Sequence, residues 1–193
     1  MKYLYLFIEN DKVNDAVKYG MKLSEYVNKR LDTNPEKKGI TAYLSPTDSI
    51  DYNDSNFTCL KVLTTNLNIF VYNKIFDNTS SINEFICDYS NYTIGSYEEP
   101  IAIICSTILP ENLSIYNRII DTPLVVENSK EFFYKKSIQE MLDNECFTNY
   151  ELYQMLLILG QQKKIFEIFN VTDKIKLYKS KNTNIEYTKK NNF

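Results

Sequence analysis

The sequence predicts an α+β fold: a mixed, mainly antiparallel sheet core, followed by a C-terminal helical annex that ends in a β-hairpin. Three observations carry this expectation. Short apolar runs recur between turn residues through the first two thirds of the chain, among them "YLYLFI", "ITAYL", "FTCLKVL" and "IAIIC", and runs of that length fit buried strands. From residue 129 the apolar positions change to helical spacing, as in Leu152, Met155, Leu156 and Leu159. Two alternating segments, "KIKLYKS" and "NIEYTKK", then flank "KNT", which is a hairpin pattern. The expected division is an α+β core over 1–127 and an annex with a basic hairpin over 128–193.

The elements follow in order. "KYLYLFIE" (2–9) reads as a buried first strand, apolar on both faces. Val13, Ala16, Val17, Leu23 and Val27 then mark a helix capped by Asn10 or Asp11, with a break at Gly20 as the alternative. A loop over 32–39 leads to a strand over 40–44, and Pro, Asp, Ser and Asn over 45–56 supply turn chemistry. Strands are expected at 57–63 and 68–76, a short helix at 81–90, and a strand at 101–109 closed by Pro110. Ser129 begins a helix. Thr148 and Glu151 make a capping box for the next one, Gly160 suits its C-terminal end, and "KKIFEIFN" (163–170) reads as a further helical turn or two. The lysine- and asparagine-rich end is expected to fray.

Composition narrows the chemistry. The 193 residues include 16 Tyr and 11 Phe but no His, and only four Gly. Such a chain can build a core, yet it offers no imidazole for a Ser-His-Asp or Cys-His arrangement and contains neither glycine-rich nucleotide motif. Cys59, Cys87, Cys105 and Cys146 stand singly, without a C-x-x-C pair. They read as reduced thiols. "YLYLFI" after Met-Lys is too short for a signal peptide and runs into "ENDK", and no apolar stretch approaches a membrane span. The expected setting is the cytoplasm, with no membrane partner.

Net charge is −3, but residues 161–193 carry eight Lys against three acids, a local +5 on a body of −8. A basic tail can contact phosphate backbones, although a solvated, aggregation-guarding edge is the plainer reading. Helix, short helix and hairpin follow the order of a winged helix. Arginine is absent from this segment, so sequence-specific recognition of DNA is not expected; nucleic acid through the Lys174–Lys190 tail stays open. Scarce arginine beside abundant Asn, Ile and Tyr is what an AT-rich genome produces. Asp48, Asp51 and Asp54 recur at three-residue intervals but match no calcium-loop pattern, so no metal is expected.

Glu98 and Glu99 stand at the start of the most apolar run, "EEPIAIIC". On the plain reading Tyr97–Pro100 is a polar loop leading into a strand. On the functional one, strand alternation sends one carboxylate into a pocket, where it can orient a hydroxyl or stabilise positive charge on a sugar.

The stretches "YGMKLS" (19–24), "AYLSP" (42–46) and "ILPENL" (108–113), the last preceded by a glutamate pair, follow in an order that resembles the ADP-ribosyltransferase superfamily. The nearest likeness is to the DNA-thymidine ADP-ribosyltransferase toxins and their diverged relatives, over residues 3–116. The resemblance implies an NAD-binding cleft between two small sheets. Tyr43 and Ser45 would lie beside the nicotinamide ribose with Tyr5 as a further cofactor contact, and Glu99 or Glu98 would take the catalytic position. The histidine that holds the ribose in many relatives aligns near Leu6, and an apolar side chain offers no donor or acceptor there. The expectation is therefore a degenerate core acting as a binding or interaction domain, with a nucleotide ligand or a protein partner. An active NAD-dependent transferase is the alternative, and a nucleic-acid-binding accessory protein using the basic tail the second.

Overall fold

A computed structural model describes residues 2–31, 34–74, 85–121, 123, 127–182 and 184–190, without the side chains of 34 and 35. The fold is α+β, and the chain divides into two compact units, 1–133 and 134–193.

In the first unit β1 (Tyr3–Glu9) buries Leu4, Tyr5, Leu6 and Ile8. A single 3-10 turn replaces the expected capped start of the next helix, and neither Asn10 nor Asp11 caps it. Helices α1 (Val13–Tyr19) and α2 (Leu23–Tyr26) are separated at Gly20. Gly20 has φ +79°, and a Cβ there would run into the carbonyl of Ile108. The break comes from Met21, which exchanges backbone hydrogen bonds of 2.8 and 3.0 Å with Ile108. Beyond it, β2 (Lys29–Leu31) pairs with β3 (Asn34–Tyr43), so positions 34–39, expected as a loop, extend the strand.

Next come β4 (Phe57–Leu63), β5 (Ile69–Asn73), β6 (Ile86–Asp88), β7 (Pro100–Ile104) and β8 (Leu113–Ile115). The sheet order is β6-β5-β7-β3-β1-β4-β8, with β2 beside β3. Every described pairing is antiparallel, so the parallel share implied by a mixed sheet is not seen among them. The helix expected at 81–90 is corrected over its described part: Ile86 and Cys87 pair with Tyr72 and Val71 instead. Positions 81–84 lie outside the described residues. The strand expected to reach residue 109 ends at Ile104, where Cys105 bonds back to Asn68.

The junction of β1 and β3 is slender. β1 pairs with β4 along all seven of its residues but with β3 only through Tyr5 and Tyr43. One half, β1-β4-β8, and the other, β3-β7-β5-β6, meet at this pair. The core beneath them is built from Leu4, Leu6, Ile40, Ala42, Leu60, Val62, Val71, Ala102 and Ile104, all at most 2% exposed. Burying each Leu, Ile or Val contributes about 1.5–3 kcal/mol.

Helix α3 (Ser129–Asp143) begins in the first unit and continues into the second. The second unit adds α4 (Tyr150–Gln162) and a sheet of β9 (Phe166–Thr172), β10 (Ile175–Ser180) and β11 (Glu186–Lys190). The hairpin predicted at the end of the chain is β10–β11. Within "KKIFEIFN" residues 166–170 are strand instead of a helical turn, because Phe166 packs in the cluster of Leu157, Tyr178 and Tyr187. Asn149, not Thr148, caps α4 by accepting from the Leu152 N–H. Gly160 lies inside the helix, where a Cβ would overlap the Phe166 ring.

Candidate functional site

The end of β3 places the first component. Tyr43 is the last residue of that strand and pairs with Tyr5 on one side and Ile101 on the other. Its ring stands edge-on to Phe7, with centroids 6.2 Å apart. The chain then turns through Ser45 and Pro46 into a short 3-10 segment, closed by a capping box between Ser45 and Asp48.

The second component is the bend before β7. Glu98 and Glu99 precede the strand, so strand alternation does not govern them. Asn73, at the end of β5 and 4% exposed, fixes this bend by accepting from the Glu99 N–H at 3.0 Å. The Glu99 carbonyl accepts from the Lys74 N–H at 2.8 Å. Both glutamate side chains turn to the same ammonium, that of Lys130.

The third component is the start of α3. Asp48 reaches across to it: its carboxylate accepts the Ser129 N–H and the Ser129 hydroxyl, each at 2.6 Å, while holding the Ser45 N–H at 3.0 Å. This adds an acceptor from a distant loop to a helix start that Asn128 caps by accepting from the Glu131 N–H at 2.8 Å. Burial pushes the Asp48 carboxyl above its ordinary range, against those three donors. The next residue, Lys130, sets its ammonium 2.6 Å from Glu99 and 3.1 Å from Glu98. Its pKa is raised, by Glu99 first and Glu98 second.

Together these segments enclose a hollow of about 280 Å³ whose walls include Tyr43, Asp48, Lys74, Glu98, Glu99 and Lys130. Tyr43 and both glutamates are thus brought to one place. Ser45 and Tyr5 are not. Ser45 is fully buried, its hydroxyl 2.9 Å from that of Thr47. Tyr5 is 3% exposed and packs edge-on against Tyr116, and burial pushes its hydroxyl up to about 12. Strand alternation predicts one carboxylate in a pocket, whereas the bend and Lys130 bring both to the walls of the hollow.

Asp48, Asp51 and Asp54 diverge: the first holds Ser129, the second approaches the Ser49 hydroxyl, and the third accepts from the Asn56 N–H. Among the described residues no group of three or more potential ligands is placed to hold a metal ion.

Sequence reading missed Lys130 and the bonds from Asp48 to Ser129. The Lys130 signal was weak: a lysine in the first turn of a helix opposes the helix dipole, so its position calls for an acidic partner elsewhere in the chain. No protein-family model, curated protein or solved structure matches the chain.

Proposed function

We propose that this chain is an intracellular binding domain on an ADP-ribosyltransferase-like core that no longer carries out transfer. One observation carries the reading: a single ammonium, that of Lys130, lies against both candidate catalytic carboxylates. A carboxylate stabilises developing positive charge on a sugar through its uncompensated negative charge. A cation already 2.6 Å away cancels much of that field.

The sheet is continuous and not split into two, yet among the described residues its halves pair only at Tyr5 and Tyr43, and the hollow lies beside Tyr43. As a seat for NAD in catalysis the residues fit poorly. The fork between Glu98 and Glu99 is filled, Leu6 is buried and apolar, and about 280 Å³ is small for a dinucleotide. A small polar group, or a side chain from a protein partner, suits the hollow better. Four unpaired thiols accord with an intracellular setting, and among the described residues no helix is long and apolar enough to cross a membrane.

The test is to incubate the chain with labelled NAD and follow both nicotinamide release and thermal unfolding. No release is expected. A ligand at a hundred times its dissociation constant adds about 2.7 kcal/mol, so a raised Tm without release would mark retained nucleotide binding. Release that disappears in Glu99→Gln would overturn the reading in favour of an active transferase.

A further inference from the structure

Within the second unit a separate hollow of about 610 Å³ lies between α4 and β11. Its walls bring together Phe147, Tyr150, Tyr153 and Tyr187 with Lys189 and Lys190. Three of the rings form a packed cluster: the Phe147, Tyr153 and Tyr187 centroids are 6.2–6.3 Å apart. Tyr150 stands at the rim, 61% exposed, and Phe147 is 43% exposed. A folded chain gains by covering such rings, so a rim of exposed aromatics beside cations is chemistry waiting for a flat, anionic partner.

Charge selects the class of partner. Segment 161–193 is +5, and Glu186, the one acid on the hollow's walls, is 3.6 Å from Lys179. Addition of a peptide strand to β11 is disfavoured because the Tyr153 hydroxyl already donates to the Thr188 carbonyl at 2.8 Å. Recognition must then run through side chains. Rings that stack on bases, flanked by lysines that neutralise phosphates, are the elements of sequence-tolerant single-strand binding. The absence of arginine from 161–193 fits binding without base readout. We infer that the hollow between α4 and β11 binds single-stranded nucleic acid, with Tyr150 as a stacking platform and Lys189 and Lys190 on the phosphates.

The experiment measures fluorescence anisotropy of a labelled oligo-dT with the full chain across a salt series, beside a duplex of equal length and a poly-glutamate competitor. The single strand is expected to bind more tightly than the duplex. Tyr150→Ala should weaken binding about 10-fold and Tyr150→Phe should restore it, since the ring alone is needed. Lys189→Ala with Lys190→Ala should reduce the log–log salt slope by about 1. Equal affinity for the duplex, or no effect of Tyr150→Ala, would overturn the proposal and leave only a basic surface. Full displacement by poly-glutamate at equal charge would also overturn it, in favour of an acidic protein partner. Because Tyr150 is exposed, unchanged melting of the variants separates these outcomes from misfolding.

Discussion

The Lys130 ammonium stands 2.6 Å from a carboxylate oxygen of Glu99 and 3.1 Å from one of Glu98. Two adjacent acids and one helical cation, thirty-one residues beyond Glu99, thus form a single ion-paired unit in which one positive charge faces two negative ones. Removing the cation leaves two like charges side by side. Lys130 is about half exposed, so solvent screening holds the effect of Lys130→Ala to a loss of about 0.5–1 kcal/mol. Urea unfolding measures it, and adding Glu99→Gln to Lys130→Ala should recover part of the loss.

The same unit has a pH signature. The ordinary lysine value is 10.5, and the two glutamates raise that of Lys130 above it. Its stabilising contribution is therefore complete below 10.5 and disappears as pH climbs through the folded-state value. Alkaline unfolding should come earlier in Lys130→Gln than in the parent chain, and the two should converge at the highest pH. At the acid end the sign is reversed for Asp121. The Asn117 N–H first, then the Lys61 ammonium, hold its carboxyl below 3.8. That contribution is present above 3.8 and lost as pH falls, so Asp121→Asn should flatten the acid limb of a stability–pH curve.

Asp48 ties the 45–48 turn to the start of α3 through three accepted hydrogen bonds. Asp48→Ala leaves those donors to be satisfied elsewhere and should cost about 1–3 kcal/mol. Hydrogen exchange at the Ser129 amide should accelerate in the variant. Unchanged exchange would mean that the helix start is held by other contacts.

Gly160→Ala opposes propensity to packing. Alanine is about 1 kcal/mol better than glycine in a helix, yet its methyl would overlap the Phe166 ring. Overpacking of this kind costs about 1–3 kcal/mol, so a net loss of stability is expected by urea unfolding. A gain would show that Phe166 can move aside.

Much of the architecture is legible in the residues. "FTCLKVL" is β4 from end to end, and "KIKLYKS" with "NIEYTKK" holds the terminal hairpin. These segments announce themselves because burial imposes a pattern at the scale of a few neighbours. "KKIFEIFN" misleads for the same reason: its local spacing suits a helix, while Phe166 is claimed by Tyr178 and Tyr187. Gly160 reads as a stop signal, but the structure uses its lack of a side chain for that same ring. The candidate site is legible in part. The glutamates can be named from their place before the most apolar run and Tyr43 only through the resemblance, whereas Lys130 and the bonds from Asp48 to Ser129 cannot.

The sequence by itself determined the α+β class, the positions of most strands and the chemical character of each end of the chain, because hydrophobic period and charge are local properties. Tertiary structure alone decided that Lys130 lies against two neighbouring acids and that Ser45 and Tyr5 are sealed away from the hollow. Those outcomes depend on side chains thirty to eighty residues apart meeting in a defined orientation. No window of neighbouring residues contains that information, since it arises only when strands pair and a helix start is clamped.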